Sequence, residues 1–239
     1  LVMIFKRNKK SCYMIKKIWI QFINIINNIY IKLFSRISCL DTMLYFLRLK
    51  IFGDNNIVLE KSNISKTVIN VNGENNVIKT FNSIVHNCNI SIDGSNNQLI
   101  LKDNVKLRRS IINIRGSNCK IIIGNRSSFG EVRLVNVGKG NDILIGKDCL
   151  FADNIEIWAS DTHSIFDGDD KLINPERPIS IGDKVWIGSH VKILKGVNIG
   201  GNAIVGMGSM VTKDIKAGDL CVGNPLRVIK ENVTWSLKN

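Results

Sequence analysis

Apolar and polar positions alternate with an unusual period in the C-terminal third of the chain. Across residues 181–215 an aliphatic side chain recurs every sixth position, at Ile181, Ile187, Ile193, Ile199, Val205 and Val211. Four residues after each stands another small or apolar residue: Val185, Val191, Val197, Ala203, Ser209 and Ile215. Neither the helical period of 3.6 nor the strand period of 2 produces a repeat of six. A hexapeptide repeat is instead the mark of a parallel β-helix. Each hexapeptide makes one short strand and one corner, three close a triangular coil, and coils stack at the strand spacing of about 4.8 Å. Residues 181–216 hold six hexapeptides in register, enough for two coils.

Upstream the rhythm continues in longer steps. Gly-x-x-Asn-like corners begin at Gly53, Gly73, Gly94, Gly116 and Gly138, with steps of 20, 21, 22 and 22 residues. Gly and Asn suit corners because they accept positive φ. The strict six-residue spacing returns at Ile145, Phe151 and Ile157. The pattern predicts a β-solenoid over residues 53–216. Residues 163–178, polar and holding Pro175 and Pro178, break the register and read as a loop extruded from the coil. Residues 217–239 contain a Gly223-Asn224-Pro225 turn and are expected to cap the open end, because a bare last coil exposes strand edges and core.

Charge separates the N-terminal segment from this stack. Of the formal net charge of +13, +9 lies in the first 50 residues, where no acidic residue precedes Asp41. Residues 18–31 form an uncharged run of 14 residues interrupted by Gln21, Asn24, Asn27 and Asn28, too short and too polar to span a bilayer. No small-residue cleavage site follows it, as a signal peptide would require. Residues 1–52 are therefore expected to be a basic amphipathic helical arm that lies on a membrane face or packs beside the solenoid. The six cysteines form no C-x-x-C pair and read as small packing residues in a reducing compartment.

The segment VWIGSHVKILKGVNIGGNAIVGMGSMVTKDI, followed by VGNPLRVIKE, resembles the hexapeptide-repeat acyltransferases, whose fold is a left-handed β-helix. SDTHSIFD at 160–167, with INPERPISIGDKVWIG at 173–188, looks like the enzymes that O-acetylate sialic-acid capsules and related bacterial surface glycans. The resemblance implies an all-β solenoid assembled as a homotrimer, with active sites between subunits. It implies acetyl transfer from acetyl-CoA to a glycan hydroxyl, with no metal. His163 matches the catalytic histidine, which would deprotonate the acceptor hydroxyl. Asp161, two residues earlier, would orient the imidazole, and Trp186 would line the active-site groove. Gly188, Ser189, Gly206 and Met207 match positions along the pantetheine arm, although Met207 departs from the small residue usual there. Thr212, Lys213, Arg227 and Lys230 match the basic end that meets the donor's phosphates. The arm would then hold a cytoplasmic enzyme at the inner membrane face.

Rival functions fit less well. A zinc enzyme of the γ-carbonic-anhydrase kind needs three convergent histidines, and the spacing of His86, His163 and His190 does not repeat that cluster. A purely structural solenoid would lack the extruded loop with its histidine. Nucleic-acid binding finds no recognised module in the basic arm. Transfer to an amine, giving an N-acetylated sugar, is not separated from O-transfer by spacing alone.

Overall fold

The computed structural model describes residues 36–40 and 43–236. They form a left-handed parallel β-helix with three flat faces and no helix. Successive short strands go to the first, second and third sheet in turn, so each strand pairs in parallel with the one a full coil away. The first and third sheets are eight strands deep. The second has ten, the last of them antiparallel.

The six-residue period maps directly onto this geometry. Ile181, Ile187 and Ile193 face the interior from the first, second and third sheets, and Ile199, Val205 and Val211 repeat the set one rung later. The companion residues, from Val185 to Ile215, fill the insides of the corners and are buried. The stacking makes long columns of like side chains, such as Ile57, Ile78, Leu99, Ile121, Ile143 and Ile179. Burying each such aliphatic contributes about 1.5–3 kcal/mol relative to exposure. Phe129 and Phe151 stack at 4.4 Å with rings 10° apart, where two consecutive rungs of the second sheet meet.

The corners carry columns of their own. Gly53, Gly73, Gly94, Gly116 and Gly138 all have positive φ, from +93° to +133°. Two residues after Gly53, and three after Gly73 and Gly94, a buried Asn builds a ladder. The amide oxygen of Asn55 accepts from the backbone N–H and the side chain of Asn76, and Asn76 does the same for Asn97. Each Nδ2 also donates to a glycine carbonyl one rung on: Asn55 to Gly73, Asn76 to Gly94 and Asn97 to Gly116. Asn76→Ala leaves the buried Asn97 N–H and the Gly94 carbonyl unpaired, and it should cost about 2–3 kcal/mol in denaturant unfolding.

Cys88, Cys119 and Cys149 occupy corner columns where neighbouring rungs place Ser, Thr or Asn. Their thiols donate to backbone carbonyls such as those of His86, Gly138 and Gly182. Burial pushes the Cys88 and Cys149 thiols up to about 11, so they stay protonated. They are hydrogen-bonding corner residues as well as packing ones. Cys12 lies outside the described residues.

Two expected boundaries move. Arg36–Leu40, Met43–Tyr45 and Arg48–Phe52 are strands of the first coil, so the solenoid begins before residue 53 and these residues are not part of a helical arm. The reason is visible in RLKIF, where Leu49 and Ile51 point inward and Arg48, Lys50 and Phe52 outward with strand period. Residues 1–35, the rest of the expected arm, lie outside the described residues. At the other end, Leu220–Val222 continues the second sheet beyond residue 216, and Arg227–Lys230 closes its edge as an antiparallel strand. Leu226 joins the core, but the following tail does not lie over the open end. It runs along the side, where Trp235 donates to the carbonyl of Lys184 and Lys184 reaches Thr234.

Candidate active site

The chain leaves the coil after Ile155–Trp158 and returns at Ile179–Ile181. Between them residues 160–178 form a protruding hairpin, pinned by an antiparallel bridge between Phe166 and Leu172 and by the Ile173 N–H on the Ile165 carbonyl at 2.9 Å. Its tip is an Asp turn, in which the Asp167 carboxylate accepts from the N–H groups of Asp169 and Lys171. The hairpin is less polar than its composition suggests, because Ile165, Phe166, Leu172 and Ile173 are all exposed on it.

His163 stands at the base of this hairpin, exposed to solvent. No hydrogen bond among the described residues engages its imidazole. Its backbone is held: Asn174, on the returning leg, donates from Nδ2 to the His163 carbonyl at 2.8 Å and to Asp161 Oδ2 at 2.9 Å. The Asn174 side-chain oxygen accepts from the Ile165 N–H at 2.6 Å. Lys195, at the same corner one rung on, completes the knot with its ammonium on Asp161 Oδ2 at 2.5 Å and on the Asn174 carbonyl at 2.7 Å. The Lys195 side chain is only 13% exposed, so this cation is committed to its partners. The Lys195 ammonium is the main reason the Asp161 carboxyl lies below the usual carboxylate range, with Asn174 adding to it.

The role expected of Asp161 therefore changes. Its carboxylate is hydrogen-bonded to Lys195 and Asn174, not to the imidazole, so it braces the hairpin that carries His163. Asn174 and Lys195 were not singled out by sequence, since neither has a spacing that marks it. Lys195→Met should free the hairpin base and lower turnover by about ten- to a hundredfold, because small displacements of a reacting group are costly. Lys195→Arg, which keeps the charge, should lose less in the same assay. A folded-state pKa depressed for Asp161 means that its part in the knot is intact at neutral pH and is lost as pH falls through that lowered value.

The remaining candidates divide between two corners. Gly188, Ser189, Gly206 and Met207 stack at the corner between the second and third sheets, tied by Gly208 N–H on the Ser189 carbonyl at 2.9 Å and by Gly188 N–H on the Val205 carbonyl at 2.8 Å. A Cβ on Gly188 would meet the backbone N of Met207 at 2.7 Å, which explains the glycine. Met207 projects outward, 73% exposed. Arg227 joins this corner through its pairing with Val222, whereas Lys230 pairs with Leu220 at the other end of the hairpin strand. Thr212 and Lys213 lie at the corner between the third and first sheets, on the same edge as His163 and Lys195. Trp186 points outward from the second sheet and packs on Trp235 at 6.1 Å. Trp235, which no motif marked, thus supports the indole expected at the groove. Among the described residues no group of three His, Cys, Asp or Glu side chains is arranged to hold a metal ion.

Residues 178–213, the rungs that stack on the base of the hairpin, match the bacterial transferase hexapeptide family over six repeats. The hexapeptide-repeat chain is 37% identical over 134 residues to the polysialic acid O-acetyltransferase of Escherichia coli O1:K1 / APEC, covering 56% of this chain and 43% of that protein. It is 38% identical over 114 residues to the galactoside O-acetyltransferase of Escherichia coli (strain K12), covering 38% of this chain and 55% of that protein. The chain thus spans about half the length of the curated relatives it matches. Among solved structures, the polySia-specific acetyltransferase NeuO superimposes with a TM-score of 0.63 at 29% identity, over 86% of the hexapeptide-repeat chain and 90% of NeuO.

Proposed function

We propose that the chain is an O-acetyltransferase that moves an acetyl group from acetyl-CoA to a hydroxyl of an acidic bacterial surface polysaccharide. The observation that carries this reading is His163: an exposed imidazole with no hydrogen-bond partner among the described residues, on a hairpin base fixed by Asn174 and Lys195. Histidine side chains exchange protons near neutral pH, as this reaction needs. The imidazole takes the acceptor's hydroxyl proton as the oxygen attacks the thioester carbonyl. The carbon–sulfur bond then breaks, and the imidazolium returns the proton to the departing thiolate. Two relatives bearing O-acetyltransferase names, one of them for polysialic acid, support the reaction class and an acidic glycan as acceptor.

The donor runs along the corner of Gly188, Ser189, Gly206 and Met207, where glycine lets a ligand approach the backbone, with Arg227 toward the phosphates. His163 and this corner lie on different edges of one solenoid. A homotrimer resolves that separation, with His163 of one copy facing the donor corner of the next. The test is thiol release from acetyl-CoA with a panel of bacterial glycans. Release that depends on an acidic glycan is expected, and release equal with and without glycan would remove the acceptor from the proposal.

The basic segment, residues 1–35, would hold the enzyme at the cytoplasmic membrane face. Among the described residues no helix is long and apolar enough to cross a membrane. Deleting residues 1–35 should shift the protein from membrane to soluble fractions, and an unchanged distribution would refute the anchoring.

A further inference from the structure

The outer face of the third sheet carries two depressions in line along its N-terminal rungs. Its strands Arg48–Phe52, Val68–Asn72, Asn89–Ser95, Ile111–Ser117, Val132–Lys139 and Ile155–Trp158 lie side by side in register. Two depressions cover this stretch of six rungs between them. The first, of about 460 Å³, is lined by Lys50, Phe52, Asn70, Val71, Asn72 and Asp93. The second, of about 270 Å³, takes over at Ile111 and continues past Arg133 to Asn154 and Glu156. Together they cross the face diagonally over five rung spacings, about 24 Å.

The chemistry of the first depression suits a sugar. Phe52 offers a ring 42% exposed, able to pack on the apolar face of a pyranose. Asn70, Asn72 and Asp93 offer donors and acceptors for hydroxyls. The side-chain oxygen of Asn70 is buried and has no hydrogen-bond partner among the described residues. Along the same outward face, Arg48, Lys50, Arg115, Arg133 and Lys192 outnumber Asp93 and Glu156; Lys192 is paired with Glu156 at 3.5 Å, and at the rim of the second depression Arg109 is paired with Glu131 and Asp153, which leaves Arg48, Lys50, Arg115 and Arg133 as the cations without an ion pair among the described residues. Arg133 is further fixed by lying over the Trp158 ring, 5.9 Å from its centroid, and Trp158 donates to Glu156 at 2.9 Å. Such an excess of cations complements a chain of carboxylated sugars.

The diagonal also ends in a telling place. The corner of Asn154 is followed on the next rung by His190, whose N–H bonds the Asp153 carbonyl at 3.1 Å, and then by Gly208 on Ser189. That is the corner of Ser189 and Met207, given above to the acetyl donor.

We propose that this face is an elongated subsite for the acceptor, holding a strand of acidic polysaccharide from Phe52 to Glu156 and delivering its end to the donor corner. The proposal rests on the acetyltransferase reading for its direction, though not for binding itself. It makes affinity depend on chain length: a strand that spans both depressions gains contacts at successive rungs, whereas a disaccharide can use one depression only.

The test is calorimetric titration of the full chain with oligosialic acids of graded length and with a neutral oligosaccharide of matched length. For the native chain, affinity is expected to climb with length for the acidic series and to stay flat for the neutral one. Phe52→Ala combined with Arg133→Ala, both at exposed side chains, should weaken the longest acidic chain about tenfold and flatten the length dependence. A length dependence untouched by the double variant, or equal binding of the neutral series, would overturn the subsite. If the acidic series binds as expected but no glycan supports thiol release, the acetyltransferase reading fails and the binding face stands.

Discussion

Replacing His163 by alanine should lower glycan-dependent release of CoA from acetyl-CoA by about 10²–10⁴-fold, the range that general-base catalysis supplies. An alcohol is a poor nucleophile until its proton is removed, and neither of the other titratable side chains in the knot, Asp161 or Lys195, is free to remove it. Asp161 is bonded to Lys195 and Asn174, and the Lys195 ammonium is bonded in return. The substitution should leave the fold intact, because His163 contributes to the knot only through its backbone carbonyl. The melting temperature and the affinity for acetyl-CoA should therefore match the native chain. A fall in turnover below about tenfold, with the hairpin folded, would remove His163 as the base.

The second large effect is on stability. Gly116→Ala should destabilise the solenoid by about 4 kcal/mol, near the upper end for single substitutions. Gly116 has a φ of +133°, a region that L side chains rarely adopt, and an added Cβ would overlap the carbonyl oxygen of Gly138 on the next rung. Both obstacles are backbone, and no rotamer change relieves them. The neighbouring Gly140 supplies the comparison. Its φ is +66° and nothing stands within 4 Å of a Cβ there, so Gly140→Ala should cost only about 1–2 kcal/mol of left-handed strain. Equal denaturation midpoints for the two variants would show that the glycine column does not set the rung spacing.

The repeat was readable in the sequence because a stacked coil demands the same thing at every rung. Ile181, Ile187 and Ile193 announce their inward positions by spacing alone, and the Gly-x-x-Asn corners announce the turns. The first coil was hidden, since RLKIF carries the strand alternation but no corner glycine precedes it to mark the rung. The direction of the tail was equally hidden: the packing of Trp235 on Trp186 joins residues far apart in the chain with no periodic relation. At the candidate site, resemblance singled out His163, but the residues that hold its backbone could not be read from spacing. Asn174 and Lys195 reach the hairpin base because the chain leaves the coil and returns to it, and the length of that detour follows no rule of register. For the same reason Asp161, two residues from His163, reads as a partner of the imidazole when it is a brace.

The strands of the solenoid pair only with those of the adjacent rungs, with partners usually 20–22 residues apart in the N-terminal coils. A duplicated 22-residue unit inserted there would slot in as a cassette, moving everything below it by one spacing of about 4.8 Å. The hairpin with His163 and the rungs above it would not change. Coil number thus acts as a ruler that evolution can lengthen or shorten in whole steps, setting the length of the third-sheet face proposed to hold the acceptor while the hairpin with His163 stays the same.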